Sequence, residues 1–112
     1  MKTLLLDDNL MSQTRVAAQL QAAGCEVVTR RQLPESGEFG LVILNLGSRS
    51  MNGLELLESA KNRFPNAQIW GFCGHLEIEI RRAALQSGVD KLLTNENAMG
   101  ELCEVVRRHL GA

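Results

Sequence analysis

Polar side chains that could act together stand directly after the apolar runs of this chain. Leu4-Leu5-Leu6 is followed by two adjacent carboxylates, and later apolar runs end at amide or thiol side chains. Carboxylates bring negative charge, amides bring hydrogen bonds without charge, and a thiol is only a weak donor. The residues at these ends are therefore the first candidates for a site. They are Asp7, Asp8, Asn45, Cys73 and Asn95.

The elements that must position these residues are short apolar runs alternating with helical patterns. The sequence predicts strands at 4–6, 27–28, 41–44, 69–72 and 89–93, and the runs at 4–6 and 41–44 are apolar throughout, as is typical of strands covered on both faces. Apolar residues at helical spacing predict helices over 10–23, 53–64, 76–86 and 97–110. This alternation predicts an α/β fold: a doubly wound, five-stranded parallel sheet with helices on both faces. In such sheets ligands bind at the carboxyl ends of the strands.

Length and composition exclude several classes of protein. The 112 residues, 45% of them hydrophobic, fit one domain over 1–112. A net charge of -1 argues against direct nucleic-acid binding, which normally requires a basic surplus. No apolar stretch approaches the roughly 20 residues of a membrane span, so we expect a cytoplasmic protein without membrane contact. Three cysteines without metal-type spacing predict reduced thiols.

At this point the chain resembles the receiver domain of two-component response regulators (CheY-like). The resemblance covers essentially the whole chain and rests on three motifs in order: 4–9, then 41–45 followed eight residues later by 53–57, then 84–90. It implies the strand order 2-1-3-4-5. It also implies phosphoryl transfer from a histidine kinase to an aspartate that ends the third strand. In that family Mg²⁺ is held by this aspartate and by acids after the first strand, a hydroxyl residue ends the fourth strand, and a lysine ends the fifth.

The chain departs from this pattern at three of its strand ends. Asp7 and Asp8 match the acidic pair, but the acceptor, hydroxyl and lysine positions hold other residues, namely Asn45, Cys73 and Asn95. An uncharged amide is a poor nucleophile and cannot form an acyl phosphate, and no aspartate lies between Asp8 and Asp90 to replace it. The resemblance therefore predicts a pseudo-receiver with a degenerate phosphorylation pocket and no catalytic residue.

Metal binding at this pocket is expected to be weak or absent. Mg²⁺ requires several oxygen ligands in octahedral array, and only Asp7 and Asp8 remain as carboxylates. Compared with the family, the pocket lacks one acid, the acceptor aspartate, and one base, the lysine. Its formal charge is therefore unchanged, which favours a pocket with a structural role. Two interpretations stay open: the acids stabilise the start of the first helix, or they retain some cation binding. No glycine-rich phosphate loop follows the first strand, so no cofactor is expected.

Cys73 is predicted to be an inert thiol, because the neighbouring acids should raise its pKa. Basic residues near the last two helices allow two interpretations. They form a solvated face, or they lie on the surface that receiver domains build from their fourth helix, fifth strand and fifth helix for dimerisation and partner docking. These residues are Arg81, Arg82, Lys91, Arg107 and Arg108.

The spacing from Asp8 to Asn45 is short for the family by roughly 7 residues, about two helical turns. This predicts a short or missing helix between the second and third strands.

The function predicted from the sequence is a phosphorylation-independent signalling module that acts through protein–protein contacts. We expect it not to be an enzyme, and one interpretation is that it forms the amino-terminal part of a larger regulator. Two alternatives remain. One is a receiver domain of a DNA-binding transcription regulator. The other is an atypical receiver that is switched by metal, a small ligand or oxidation of Cys73.

Overall fold

The computed structural model describes residues 1–48 and 50–111, and a parallel sheet forms its centre. Within these residues the strands are β1 (Lys2–Leu6), β2 (Glu26–Arg30), β3 (Leu41–Asn45), β4 (Gln68–Cys73) and β5 (Lys91–Thr94). Their order in the sheet is β2-β1-β3-β4-β5, and every neighbouring pair is parallel. The predicted fold class and strand order are therefore confirmed.

The helices that cover this sheet, among the described residues, are α1 (Leu10–Ala22), α2 (Gly53–Arg63), α3 (Ile78–Gln86), α4 (Asn95–Gly100) and α5 (Leu102–Gly111). Side chains of α1, α4 and α5 pack with Leu5 and Ile43 on one face of the sheet. Those of α2 and α3 pack with Leu4 and Val42 on the other face. Because successive residues of a strand point to opposite faces, a continuous apolar run feeds both cores.

The connection from β2 to β3 contains no helix in the described structure, as the short spacing predicts. Leu33 and Phe39 of this connection pack against the core beneath α2. The Phe39 ring meets Phe64 edge to face, with 5.3 Å between ring centroids. An open cavity of about 780 Å³ remains beside α2 and is bordered by Arg31, Asp8 and Glu55 among others. A loop therefore replaces the helix here.

The predicted last helix over 97–110 is wrong in its continuity and its start. In place of one helix the structure has two at this point. The first, α4, begins at Asn95 and ends at Gly100, and the second, α5, begins at Leu102. Thr94 caps α4 by accepting a hydrogen bond from the Asn97 N–H at 3.1 Å. Gly100 is a poor helix residue. The Gln19 side chain of α1 accepts the Cys103 N–H at 2.8 Å, which satisfies a free donor at the start of α5.

None of the helices in the described part of the chain is long and apolar enough to cross a membrane.

Candidate functional site

The candidate residues gather at the carboxyl edge of the sheet. The strand register places Leu6 beside Leu44 and Asn45 beside Phe72, so the residues that follow β1 and end β3 are neighbours. Asn9 fixes the turn into α1, because its side chain accepts the Met11 and Ser12 N–H groups at 3.0 and 3.2 Å. The residues predicted from β1 and β3 are therefore brought together.

Asp7 is fully buried, and its carboxylate is surrounded by neutral donors. Its Oδ1 accepts the Asn9 N–H at 3.0 Å and the Asn45 side-chain amide at 2.9 Å. Its Oδ2 accepts the Ser12 hydroxyl at 2.5 Å. Three hydrogen bonds thus stabilise a buried negative charge, which would otherwise be costly. Ser12 lies in the first turn of α1, whose cap is Asn9, and its hydroxyl donates to Asp7.

Asn45 hydrogen-bonds through both ends of its amide. The nitrogen donates to Asp7, and Oδ1 accepts the Gly47 N–H at 3.0 Å. A carboxylate at this position could accept from Gly47 but could not donate to Asp7. The two hydrogen bonds therefore match an amide and not an ionised carboxylate.

Asp8 points toward the loop after β3 and is only partly buried. Its Oδ1 accepts the Ser48 hydroxyl at 2.5 Å, and that hydroxyl oxygen in turn accepts the Met51 N–H at 3.1 Å. No group of three or more His, Cys, Asp or Glu residues in the described ranges is arranged to hold a metal ion. The two aspartates are thus occupied by different serines, Ser12 and Ser48, neither of which sequence reasoning assigned to the pocket.

Cys73 is fully buried at the end of β4. Burial is the main cause that raises the pKa of its thiol, and the Glu77 carboxylate adds to the increase, while Arg81 opposes it. The expected direction agrees with the sequence argument, but its principal cause is desolvation, and the contributing acid is Glu77. The Arg81 guanidinium lies 3.9 Å from the Cys73 sulfur and donates to the Leu93 carbonyl at 3.4 Å.

Asn95 begins α4 and borders an open cavity of about 380 Å³. The same cavity is bordered by Asn45, Gly47, Gly74 and Glu77. Asn95 therefore lies at the same edge of the sheet as Asn45.

The predicted basic surface is divided between different environments. Arg81 turns inward as described, and Arg107 donates to the Ala22 carbonyl at the end of α1 at 2.9 Å. Lys91 lies over the buried Trp70 ring, 5.5 Å from its centroid. Lys91 and Arg107 are nevertheless exposed, as are Arg82 and Arg108, and Arg108 pairs with Glu104 at 3.6 Å.

No family model matches the chain. It is 32% identical over 71 residues to the transcriptional activator protein ExaE of Pseudomonas putida, a match that spans 63% of this chain and 33% of that protein.

Solved structures match over nearly the whole chain. The BeF3-activated DrrB receiver domain has a TM-score of 0.83 and 21% identity, covering 99% of this chain and 97% of its own. RcsB of Salmonella enterica serovar Typhimurium, solved with the promoter rprA and BeF3-, has a TM-score of 0.74 and 19% identity, covering 96% of this chain and 67% of its own. The chain has the CheY-like fold of response-regulator receiver domains.

Proposed function

We propose that this chain is a receiver-like signalling module that acts through protein contacts and without phosphorylation. The observation that carries the proposal is the hydrogen bond from the Asn45 amide to the buried Asp7 carboxylate, at 2.9 Å. An amide fills the position of the phosphoryl acceptor and contributes a donor that an acceptor carboxylate lacks. The pocket is thereby stabilised internally by neutral hydrogen-bond donors.

The chemistry of the pocket supports a module that is not an enzyme. Phosphoryl transfer of the receiver type needs a carboxylate nucleophile, and Asn45 supplies none. The Cys73 thiol is buried and its pKa is raised, so it is a poor substitute. The residue at the lysine position, Asn95, carries no charge to pair with a phosphoryl group.

The pocket residues do not fit a Mg²⁺ site. Mg²⁺ needs near-octahedral oxygen coordination, whereas both oxygens of Asp7 already accept hydrogen bonds and Asp8 accepts the Ser48 hydroxyl. A cation would have to displace these donors. We therefore propose that metal binding is weak or absent, and that no other cofactor is used.

We propose that a protein partner or a second copy of the chain binds the surface formed by α3, β5 and α5. Here α3 takes the place of the fourth helix of receiver domains, because the helix between β2 and β3 is missing. Apolar side chains of Leu76, Ile78 and Leu85 are exposed there by 78%, 60% and 62%. Ile78, Arg82 and Leu85 lie three to seven residues apart, which places them on one side of α3. Arg108 of α5 is also exposed. Arg81 and Arg107 bond within the chain and contribute less to this surface.

An alternative is that the module regulates transcription through an attached DNA-binding part. This alternative is favoured by the similarity to ExaE, which is a transcriptional activator. The match spans 33% of that protein. In this alternative the receiver-like fold itself does not contact DNA, in agreement with its net charge of -1.

The experiment that tests the main proposal is a titration with beryllofluoride and Mg²⁺, followed by the amide resonances of residues around Asp8, Asn45 and Asn95. We expect no saturable shifts. Saturable shifts that spread into α3 and α5 would support a receiver that is still switched by a ligand. Mg²⁺ alone serves as the control, because it separates cation binding from binding of the phosphoryl analogue.

A further inference from the structure

The open cavity beside α2 is a groove, which we call the α2 groove. It lies between α2 and the connection from β2 to β3, where a loop replaces a helix, and its volume is about 780 Å³. Leu33 and Leu56 border it, are half-buried and pack against the core. The groove therefore offers partly exposed apolar side chains on a flank of α2 that no helix of the described residues covers.

The α2 groove also carries negative charge. Among the described residues that border it, three are carboxylates, Asp8, Glu55 and Glu58, and one is a cation, Arg31. Glu55 and Glu58 are exposed on α2. A protein surface that fits this groove should therefore combine apolar side chains with positive charge.

The outer side of α3 has that composition. Ile78, Arg82 and Leu85 are exposed and stand three or four residues apart, so they share one side of the helix, which we call the α3 face. Ala84, by contrast, is buried against the sheet. Glu79 is also exposed, but the helical rotation places it on the side of Arg82 away from the two apolar residues.

We propose that the α2 groove binds the α3 face of a second copy of this chain. Ile78 and Leu85 pack on the apolar part of the groove, and Arg82 meets the carboxylates of α2. The inference deepens the proposed function by naming the partner of the surface that includes α3. It rests on that function only for the choice of this surface.

The positions of the two surfaces allow the contact to be made twice. Both lie on the same side of the sheet, on opposite flanks of α2: α2 covers β3 and β4, α3 covers β4 and β5, and the groove lies toward the segment that follows β2. Two copies whose helices face each other across a two-fold axis can therefore exchange their α3 faces. Such an exchange closes the assembly as a dimer.

The test is the self-association of charge-reversed variants, measured by analytical ultracentrifugation. The unmodified protein should form a dimer that high salt weakens. Arg82→Glu and Glu58→Arg each place like charges across the contact, so each alone should raise the dimer Kd about tenfold or more. Mixing the two variants, or combining both changes in one chain, restores opposite charges, and association should return.

Arg15→Glu is the matched control, because it makes the same charge change on an exposed position of α1, which covers the other face of the sheet. It should dimerise as the unmodified protein does. The proposal is overturned if the unmodified protein stays monomeric up to about 1 mM, a concentration at which even weak specific contacts form. It is also overturned if Arg82→Glu or Glu58→Arg associates as well as Arg15→Glu.

Two further results would assign the α3 face to a different contact. One is a dimer that Arg82→Glu disrupts and Glu58→Arg leaves intact, and the other is a failure of both the mixture and the double variant to regain association. Each of them overturns the proposal. These outcomes leave the proposed function intact, because only phosphorylation or beryllofluoride binding by the unmodified protein contradicts that function.

Discussion

Replacing Asn45 by aspartate tests the amide-specific pocket. Asn45→Asp removes the donor to Asp7 and brings a second carboxylate against the first. At the 2.9 Å separation of the two groups, and with an effective dielectric constant of about 20, two unit charges repel by about 6 kcal/mol before any relaxation. The Gly47 N–H keeps an acceptor in the variant, so the change acts mainly on the contact with Asp7.

Protonation sets an upper limit to the cost of this substitution. The pKa of the carboxyl introduced at position 45 is raised by the Asp7 charge, and neutralising it at pH 7 from a usual pKa near 3.9 costs about 4 kcal/mol. We therefore expect Asn45→Asp to lower the free energy of unfolding by about 2 to 4 kcal/mol at pH 7.

The pH dependence follows from the direction of that shift. A group whose pKa is higher in the folded state than in the unfolded state destabilises the fold as the pH rises toward the folded value. At pH 5 the cost of protonating the introduced carboxyl, which limits the loss of stability, is about 1.5 kcal/mol. The loss of stability in Asn45→Asp should therefore shrink as the solution is acidified.

The assay is urea unfolding in EDTA and in excess Mg²⁺. The introduced carboxylate should increase Mg²⁺ affinity, and binding at 100 times Kd would restore about 2.7 kcal/mol. Asn52→Asp is the control, since Asn52 caps α2 by accepting the Glu55 N–H and aspartate caps equally well. The reasoning is refuted if Asn45→Asp unfolds in EDTA with the same free energy as the unmodified protein.

Three further predictions concern single groups of the core and pocket. Thr3→Val should leave stability unchanged or raise it by up to about 1 kcal/mol in urea unfolding, because the buried Thr3 hydroxyl has no hydrogen-bond partner among the described residues; a loss above that size contradicts it. Ser12→Ala should lower the free energy of unfolding by about 1.5 to 3 kcal/mol, since one oxygen of the buried Asp7 loses its donor; a neutral effect contradicts the network. Cys73 should be alkylated more slowly than the half-buried Cys103 in the native protein, as measured by peptide mass spectrometry. Because burial raises the Cys73 pKa in the fold, its contribution to stability is present at neutral pH and is lost as the pH rises from the unfolded value toward the folded one.

The architecture could be predicted because strands and helices are encoded by local patterns. The runs around Leu5 and Ile43 are short and apolar at every position, as is typical of a strand covered on both faces. The missing helix before β3 follows from the resemblance, because the spacing from Asp8 to Asn45 is short for the receiver family. Apolar periodicity does not predict the break before Leu102, because it continues through that point, although Gly100 is a local signal for a break.

The hydrogen bonds of the pocket could not be predicted in the same way. Ser48 hydrogen-bonds to Asp8 from a loop forty residues away in sequence. No local sequence pattern indicates a contact over that separation. Arg81 has the spacing of a solvated helix residue, yet its long side chain turns inward to the end of β5. Glu77 has the spacing of a partner for Arg81 but bonds the Gly74 backbone instead. Such choices depend on which donors the fold brings near each acceptor.

The most direct test of the central claim is the intact mass of the protein after incubation with Mg²⁺ and a small-molecule phosphodonor. Because Asn45 cannot form an acyl phosphate, the mass should remain that of the unmodified chain. A gain of one phosphoryl group would contradict a phosphorylation-independent module.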